Sequence, residues 1–482
     1  MDKKKLIHQI YISDSDTVKF PEYISNQISK LKSIYDDYEY KLWGDDDIKK
    51  LLSDNFEPKV LEAYETIRPY AFKADLARCC ILYIYGGIYF DIAISPEIKF
   101  EPDSPTIFPG IRSAEVTADQ DIIENNVLIF PYIGDKFLKS AIDKLVENIL
   151  SLSYGIHPLD ITGPIALARL NYDDLNKGYV LQHDGYRASY YNGEQIYKHK
   201  PHVFQSELSK IGCEGTNNYA LMWFSGDVYN INLSYVMITN CKRIIETKIC
   251  IRSILALLRP NDELIIVGNI NDLSEFATNN VKLIDATDLA NSGQVSKMRN
   301  TGINASKGNV IITTDDDILF PDNFHTRVLQ NIKLNRGMFD TFNVVTILPN
   351  GGRWWDRALY FGKNNAIMIP YNHPYDDRLF YPSTLIVWKK SVALAIPFDE
   401  SHLYYDPVKD NEDVKLSNDL KAAGYIIKID LNNYVIHLDY KYATRTNEAG
   451  HLIGIKYNGE TDCVYEHNTS LLIRSLIERY SK

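Results

Sequence analysis

The run Ile311-Ile312-Thr313-Thr314-Asp315-Asp316-Asp317 is an apolar, β-branched stretch that ends in three carboxylates. Side chains alternate on an extended chain, so Asp315 and Asp317 face the same way. Adjacent carboxylates repel one another, and a divalent cation relieves that repulsion. Oxygen ligands suit Mg2+ or Mn2+, which commonly bridge protein carboxylates to substrate phosphates. A solvated acidic turn is the plainer alternative. Asn411-Glu412-Asp413 opens a helical pattern with acids that either add to the acidic site or complement the helix dipole. His437 closes the strand-like run Tyr434-Val435-Ile436, as a metal ligand or as a structural histidine. Lys297 and Arg299 lie upstream, where a cation could meet phosphate. The first half carries its own set. Asp75 and Arg78 sit on a helical pattern, and Tyr89 and Asp91 follow on the short strand-like run after Gly86-Gly87.

These residues need elements to hold them. A strand is expected over residues 6–12, helices over 21–34, 46–52 and 71–85, and a strand over 88–92. Gly86-Gly87 stops the third helix. A second start follows: a strand over 233–239, a helix over 246–258 and a strand over 263–267. A helix over 295–305 and a strand over 309–313 then run into the acidic triplet. Alternation of this kind implies an α/β fold with a largely parallel sheet and helices on both faces. Such sheets bind ligands beyond the carboxyl ends of their strands, where the aspartates fall. Two domains are expected, 1–230 and 231–465. The amphipathic stretch 466–482 closes the chain, with Leu472, Leu476, Ile477 and Tyr480 on one stripe. It packs on the second domain or contacts a membrane surface or a second copy.

The 482 residues carry 52 Lys plus Arg against 63 Asp plus Glu, a net charge of −11. That balance disfavours sequence-independent nucleic-acid binding. No apolar run is long enough for a transmembrane helix, and the lysines at the start are not followed by the apolar core of a secretory signal. Six cysteines without a CxxC pair fit a reduced, cytoplasmic protein.

Taken in order, residues 233–240, Arg252-Ser253-Ile254, 298–303, Asp315–Asp317, Asn411-Glu412-Asp413 and Val435-Ile436-His437 resemble glycosyltransferase family 2. The resemblance implies a GT-A fold and inverting sugar transfer from a nucleotide-sugar donor, a UDP-sugar first. It implies a Mn2+ or Mg2+ site at Asp315, Asp317 and His437, and Asp413 as catalytic base. Thr239, Arg299 and Asp316 would lie at the donor. The family's acidic pair after the second strand is Gly268-Asn269 here, with Asp285 as a candidate replacement. Trp354-Trp355 and residues 371–378 lie between the metal and base positions, as an acceptor platform or as core.

The first half resembles glycosyltransferase family 32. The resemblance rests on Ile7-His8-Gln9-Ile10-Tyr11, Tyr40-Lys41-Leu42-Trp43, Ala74-Asp75-Leu76-Ala77-Arg78 and the run from Tyr85 to Asp91, with Gly163-Pro164 further on. It implies a second, retaining GT-A domain with Asp75, Arg78 and Tyr89 near the donor sugar and Asp91 at the metal. Two departures stand out. The DxD reads Asp91-Ile92-Ala93, and Met222 stands where the family has a metal-binding histidine. His157 and His183 are candidates to compensate. A tandem transferase acting on a glycan or glycoprotein, in polysaccharide biosynthesis for example, follows. The alternative is one active C-terminal transferase beside a non-catalytic N-terminal binding domain. A two-metal phosphohydrolase would need Asp322 and His325 beside the triplet.

Overall fold

The computed structural model describes residues 3–13, 20, 22–92, 94–112, 120–183, 186–199, 218–336, 338–349, 353–362, 366–374, 376–402, 412–438 and 468–481. It divides into two compact units, Met1–Asn230 and Ile231–Lys482. Both are mixed α/β, with parallel strands where strand and helix alternate in the sequence.

In the first unit, strand Leu6–Ile10 lies between Glu39–Trp43 and Gly87–Phe90 and is parallel to both. Helix Tyr70–Tyr85 is buried along most of its length, through Phe72, Leu76, Cys80, Ile81 and Leu82 among others. It ends at Gly86 and Gly87, with φ of 66° and 100°. A Cβ on Gly87 would lie 2.5 Å from the Leu6 carbonyl oxygen, so only glycine lets the next strand start flush against Leu6–Ile10. That strand delivers Asp91 to its carboxyl end. Past this point the sheet departs from the parallel expectation. Gln120–Phe130 runs antiparallel to Gly87–Phe90 and to Thr106–Arg112. Among the described residues no helix lies between 90 and 120, and a return without a crossover helix gives antiparallel pairing. A smaller antiparallel sheet joins Ser95–Pro96, Glu194–His199, Tyr186–Tyr191 and Tyr179–His183.

In the second unit, strands Val281–Asp285, Glu263–Gly268, Leu233–Thr239 and Val310–Thr314 lie side by side and parallel. The first three strands of this unit progress in one direction across the sheet, and the fourth lands on the other side of the first. The order therefore reverses beside Thr239 and Thr314, and a crevice opens at such a reversal. Helix Val295–Ala305 covers this point at close range. A Cβ on Gly302 would lie 2.3 Å from Val236 Cγ1.

Leu385–Lys389 then pairs antiparallel with Val310–Thr314. Thr341–Ile347 and Ile427–His437 complete the sheet, and His437 faces Ile318 directly. The last helix, Asn468–Ser481, seats Ile473, Leu476 and Tyr480 against Ile249, Leu319, Val345 and Ile436. Its apolar stripe is thus covered by the second unit. Among the described residues no helix is long and apolar enough to cross a membrane.

Candidate active site

The acidic triplet follows strand Val310–Thr314 at the reversal of strand order, and each of its carboxylates meets a different partner. Asp315 accepts from Arg299 Nη2 at 2.9 Å. Arg299 is buried on helix Val295–Ala305. It also donates from Nη1 to Glu412 at 3.0 Å and lies 5.1 Å from the Phe398 ring centroid. Burial pushes the Asp315 carboxyl up to about 6 against the pull of Arg299. Asp316 accepts from the Thr239 and Thr247 hydroxyls at 2.6 and 3.1 Å. Asp317 meets Arg243 Nη2 at 2.6 Å and His437 Nε2 at 3.5 Å. The backbone fixes this corner as well, because the Leu438 N–H donates to the Asp317 carbonyl at 2.8 Å. Asp315, Asp316, Asp317, Thr239, Arg299 and His437 are therefore brought together.

Asp413 stands apart from the triplet. It lies in the first turn of helix Glu412–Ala422, where its carboxylate accepts from the Val414 N–H at 2.8 Å. Its link to the triplet runs through Glu412 and Arg299. Burial and the neighbouring Glu412 charge raise its carboxyl to about 7. The Trp354 ring lies 5.1 Å from the His437 imidazole. Trp355 packs with Ala358, Phe380 and Val414, beside Asp413. Gly268 sits at the end of its strand with φ of 140°, and a Cβ there would fall 1.8 Å from the Thr239 carbonyl oxygen. Asp285, on the next strand end, is exposed and accepts from the Thr287 hydroxyl at 2.7 Å.

Two carboxylates and an imidazole at one strand end suit Mn2+ or Mg2+ by donor type. Among the described residues, no three acid, His or Cys side chains already converge as a metal cluster. The carboxylates are instead turned to Arg299, to Arg243 and to two hydroxyls. Asp322 and His325 are directed elsewhere. Asp322 pairs with Arg479 at 2.7 Å, and His325 lies 3.5 Å from Asp262. This removes the second ligand group that a two-metal phosphohydrolase needs.

Sequence reasoning missed Arg243, Thr247 and the Arg299–Glu412 pair. Thr247 and Arg243 carry no distinguishing signal. Glu412 was visible only as an acid at a helix start.

In the first unit, Asp75, Arg78, Tyr89 and Asp91 form one cluster. Buried Arg78 bridges Asp75 at 3.1 Å and Asp91 at 3.2 Å, and lies over the Tyr89 ring at 4.6 Å. It also donates to the Asn125 carbonyl. The Tyr89 hydroxyl donates to Asp91 at 2.6 Å. Asp75 accepts from Asn125 Nδ2 at 2.8 Å and from the Thr162 hydroxyl at 2.9 Å. Burial pushes its carboxyl up to about 7 although Arg78 pulls it down.

Asn125 and Thr162 were not singled out from the sequence. The polar run Glu124-Asn125-Asn126 inside an otherwise apolar strand was the available signal, because buried polar groups need partners. Met222 is buried in helix Tyr219–Ser225. His157 caps the short helix Pro158–Asp160, accepting from the Leu159 N–H. Ala93 and the His183 side chain lie outside the described residues.

Two family models match the chain. Residues 21–106 match a glycosyltransferase sugar-binding region containing a DXD motif, and residues 235–393 match glycosyl transferase family 2. An uncharacterized glycosyltransferase of Acanthamoeba polyphaga mimivirus is 38% identical over 87 residues, which is 18% of this chain and 34% of the relative. Inositol phosphoceramide mannosyltransferase 3 of Schizosaccharomyces pombe is 31% identical over 170 residues, 34% of this chain and 43% of the relative. The chain thus spans less than half the length of these curated relatives. The solved structure of GalNAc-T7 with UDP, GalNAc and Mn2+ aligns at a TM-score of 0.36 and 11% identity, over 44% of this chain and 46% of that one. That likeness is too weak to bear on fold or site.

Proposed function

From a chain that carries a DXD-type glycosyltransferase region in one unit and a family 2 region in the other, we propose a tandem glycosyltransferase. It takes nucleotide-sugar donors, UDP-sugars first, and transfers to a glycan or glycosylated protein acceptor. In this reading the unit Ile231–Lys482 is an inverting GT-A transferase. The observation that carries it is the convergence of Asp315, Asp317, Arg299 and His437 at the reversal of strand order.

Asp315, Asp317 and His437 would hold Mn2+ or Mg2+, which when bound stabilises charge on a departing diphosphate. The chain's own residues do the rest. Arg299 offsets the charge of Asp315 and, through Glu412, ties the triplet to the helix that bears Asp413. Thr239 and Thr247 fix Asp316 from the sheet and from helix Ile244–Leu255. Asp413 accepts the proton of the attacking acceptor hydroxyl. A carboxyl raised to about 7 is well matched to that task near neutral pH. Trp354, beside His437, and Trp355, packed on the cluster that contains Val414, offer aromatic faces for acceptor sugar rings.

For the unit Met1–Asn230 two readings remain. The names of the mannosyltransferase relatives favour an active transferase, with mannose among the donors to test. A binding domain without turnover is favoured by Arg78, which already bridges Asp75 and Asp91, and by Ala93 in the second DxD position. A cytoplasmic location is part of the same reading, and among the described residues Cys79, Cys80, Cys241 and Cys250 form no disulfide.

Asp413→Asn tests the base assignment. Transfer should fall at least about 100-fold while nucleotide binding, read by calorimetry, stays near wild type. Near-normal turnover in that variant defeats the assignment.

A further inference from the structure

We propose that Arg243 is a displaceable counter-ion of the acidic triplet. Without ligand its guanidinium neutralises Asp317. When a divalent cation and a nucleoside diphosphate arrive, it turns from the carboxylate to the phosphates. The inference deepens the donor-site reading of the unit Ile231–Lys482 and rests on it.

Two arginines serve the triplet, and they differ in exposure. Arg299 has a side chain only 3% exposed and is held by Asp315, Glu412 and the Phe398 ring. It cannot leave without stranding the buried Glu412 carboxylate. Arg243 has a side chain 45% exposed and reaches Asp317 at 2.6 Å and Asp316 at 4.0 Å from the rim. It stands between strand Leu233–Thr239 and helix Ile244–Leu255, at the carboxyl end of the first strand.

The backbone beneath it is fixed. Cys241 adopts φ of 57°, and its N–H donates to the Thr239 hydroxyl at 2.9 Å. The Lys242 N–H donates to Asn240 Oδ1 at 3.0 Å. The Thr247 N–H donates to the Arg243 carbonyl at 2.9 Å. The side chain above this backbone is 45% exposed, so solvent and a ligand can reach it.

Charge decides the direction of movement. A guanidinium and a divalent cation on the same Asp317 carboxylate repel, so the two compete for it. A diphosphate offers the displaced guanidinium a better partner, because its planar fork matches phosphate oxygens two at a time. Arg243 therefore opposes binding of the bare cation and favours the cation together with nucleotide. This couples the two ligands through one side chain. A merely structural arginine, once removed, would weaken both; an idle surface arginine would shift neither.

The test uses the full chain and calorimetry with MnCl2 alone, then with UDP and with GDP at saturating Mn2+. Arg243→Ala should bind Mn2+ alone about fivefold more tightly and the nucleotide with Mn2+ about tenfold more weakly. Arg243→Lys keeps charge without the fork and should move both affinities in the same directions by less. It also stands in if the alanine variant does not fold. Asp317→Ala separates the two ideas. If it abolishes Mn2+ uptake while Arg243→Ala and Arg243→Lys leave Mn2+ affinity unchanged or weaker, the counter-ion inference is overturned and the donor site stands. If Asp317→Ala leaves Mn2+ uptake intact, the donor-site reading fails and the inference with it.

Discussion

The clusters around Asp91 and around Asp317 are built on the same plan and balanced differently. Each places a carboxylate at the end of a strand that follows a buried helix, and each uses a buried arginine from that helix. In the first unit Arg78 spans Asp75 and Asp91 alone, and Asn125, Thr162 and Tyr89 complete the hydrogen bonding. In the second unit Arg299 and Arg243 face Asp315, Asp316 and Asp317, with Glu412 and Asp413 behind them. The second site is left rich in negative charge and has an imidazole at its edge. The first is close to balanced by one guanidinium. An excess of carboxylates next to a histidine favours a divalent cation, whereas a satisfied Asp–Arg–Asp bridge offers it little.

The sharpest way to strain this comparison is to remove the buried arginines. Arg78→Ala leaves buried Asp75 and half-buried Asp91 without a counter-ion, Arg299→Ala leaves buried Glu412 and half-buried Asp315 without one, and each should destabilise its own unit by about 3–5 kcal/mol in denaturant titrations. A loss much below this for either would mean that solvent already reaches its partners.

A smaller effect shows in the pH dependence of the first unit. The Asp75 carboxyl is about 7 in the folded chain, above its unfolded value, so the protonated form is the one favoured by folding. Its contribution is fully present below the unfolded value and is lost as pH rises towards 7, at about 1.4 kcal/mol per unit of displacement. Asp75→Asn should flatten the stability of the first unit between roughly pH 4 and 7. An unchanged slope in thermal melts across that window would contradict the burial of Asp75.

Much of this plan was legible in the residues, and the missing parts have physical causes. The strands 233–239 and 263–268 and the helix 295–305 announce themselves by apolar runs and 3.6-residue spacing, and Asp315–Asp317 by placement at a strand end. Local periodicity says nothing about long-range pairing. Arg299 meets Glu412 across 113 positions, and Thr162 meets Asp75 across 87. Arg243 follows the first strand in a loop whose composition marks it only as exposed. The antiparallel halves of both sheets were hidden for a related reason. Strand direction depends on whether a crossover helix intervenes, and the segments after Phe90 and Thr314 had no pattern that settled it.

The most direct measurement compares Asp317→Ala with Asp91→Ala in release of nucleoside diphosphate from a panel of nucleotide sugars with Mn2+. The account predicts that Asp317→Ala loses cation-dependent release at least about 100-fold, and that Asp91→Ala retains it for the donor used by the second unit. Wild-type release by Asp317→Ala, or equal loss of every donor in Asp91→Ala, would contradict it.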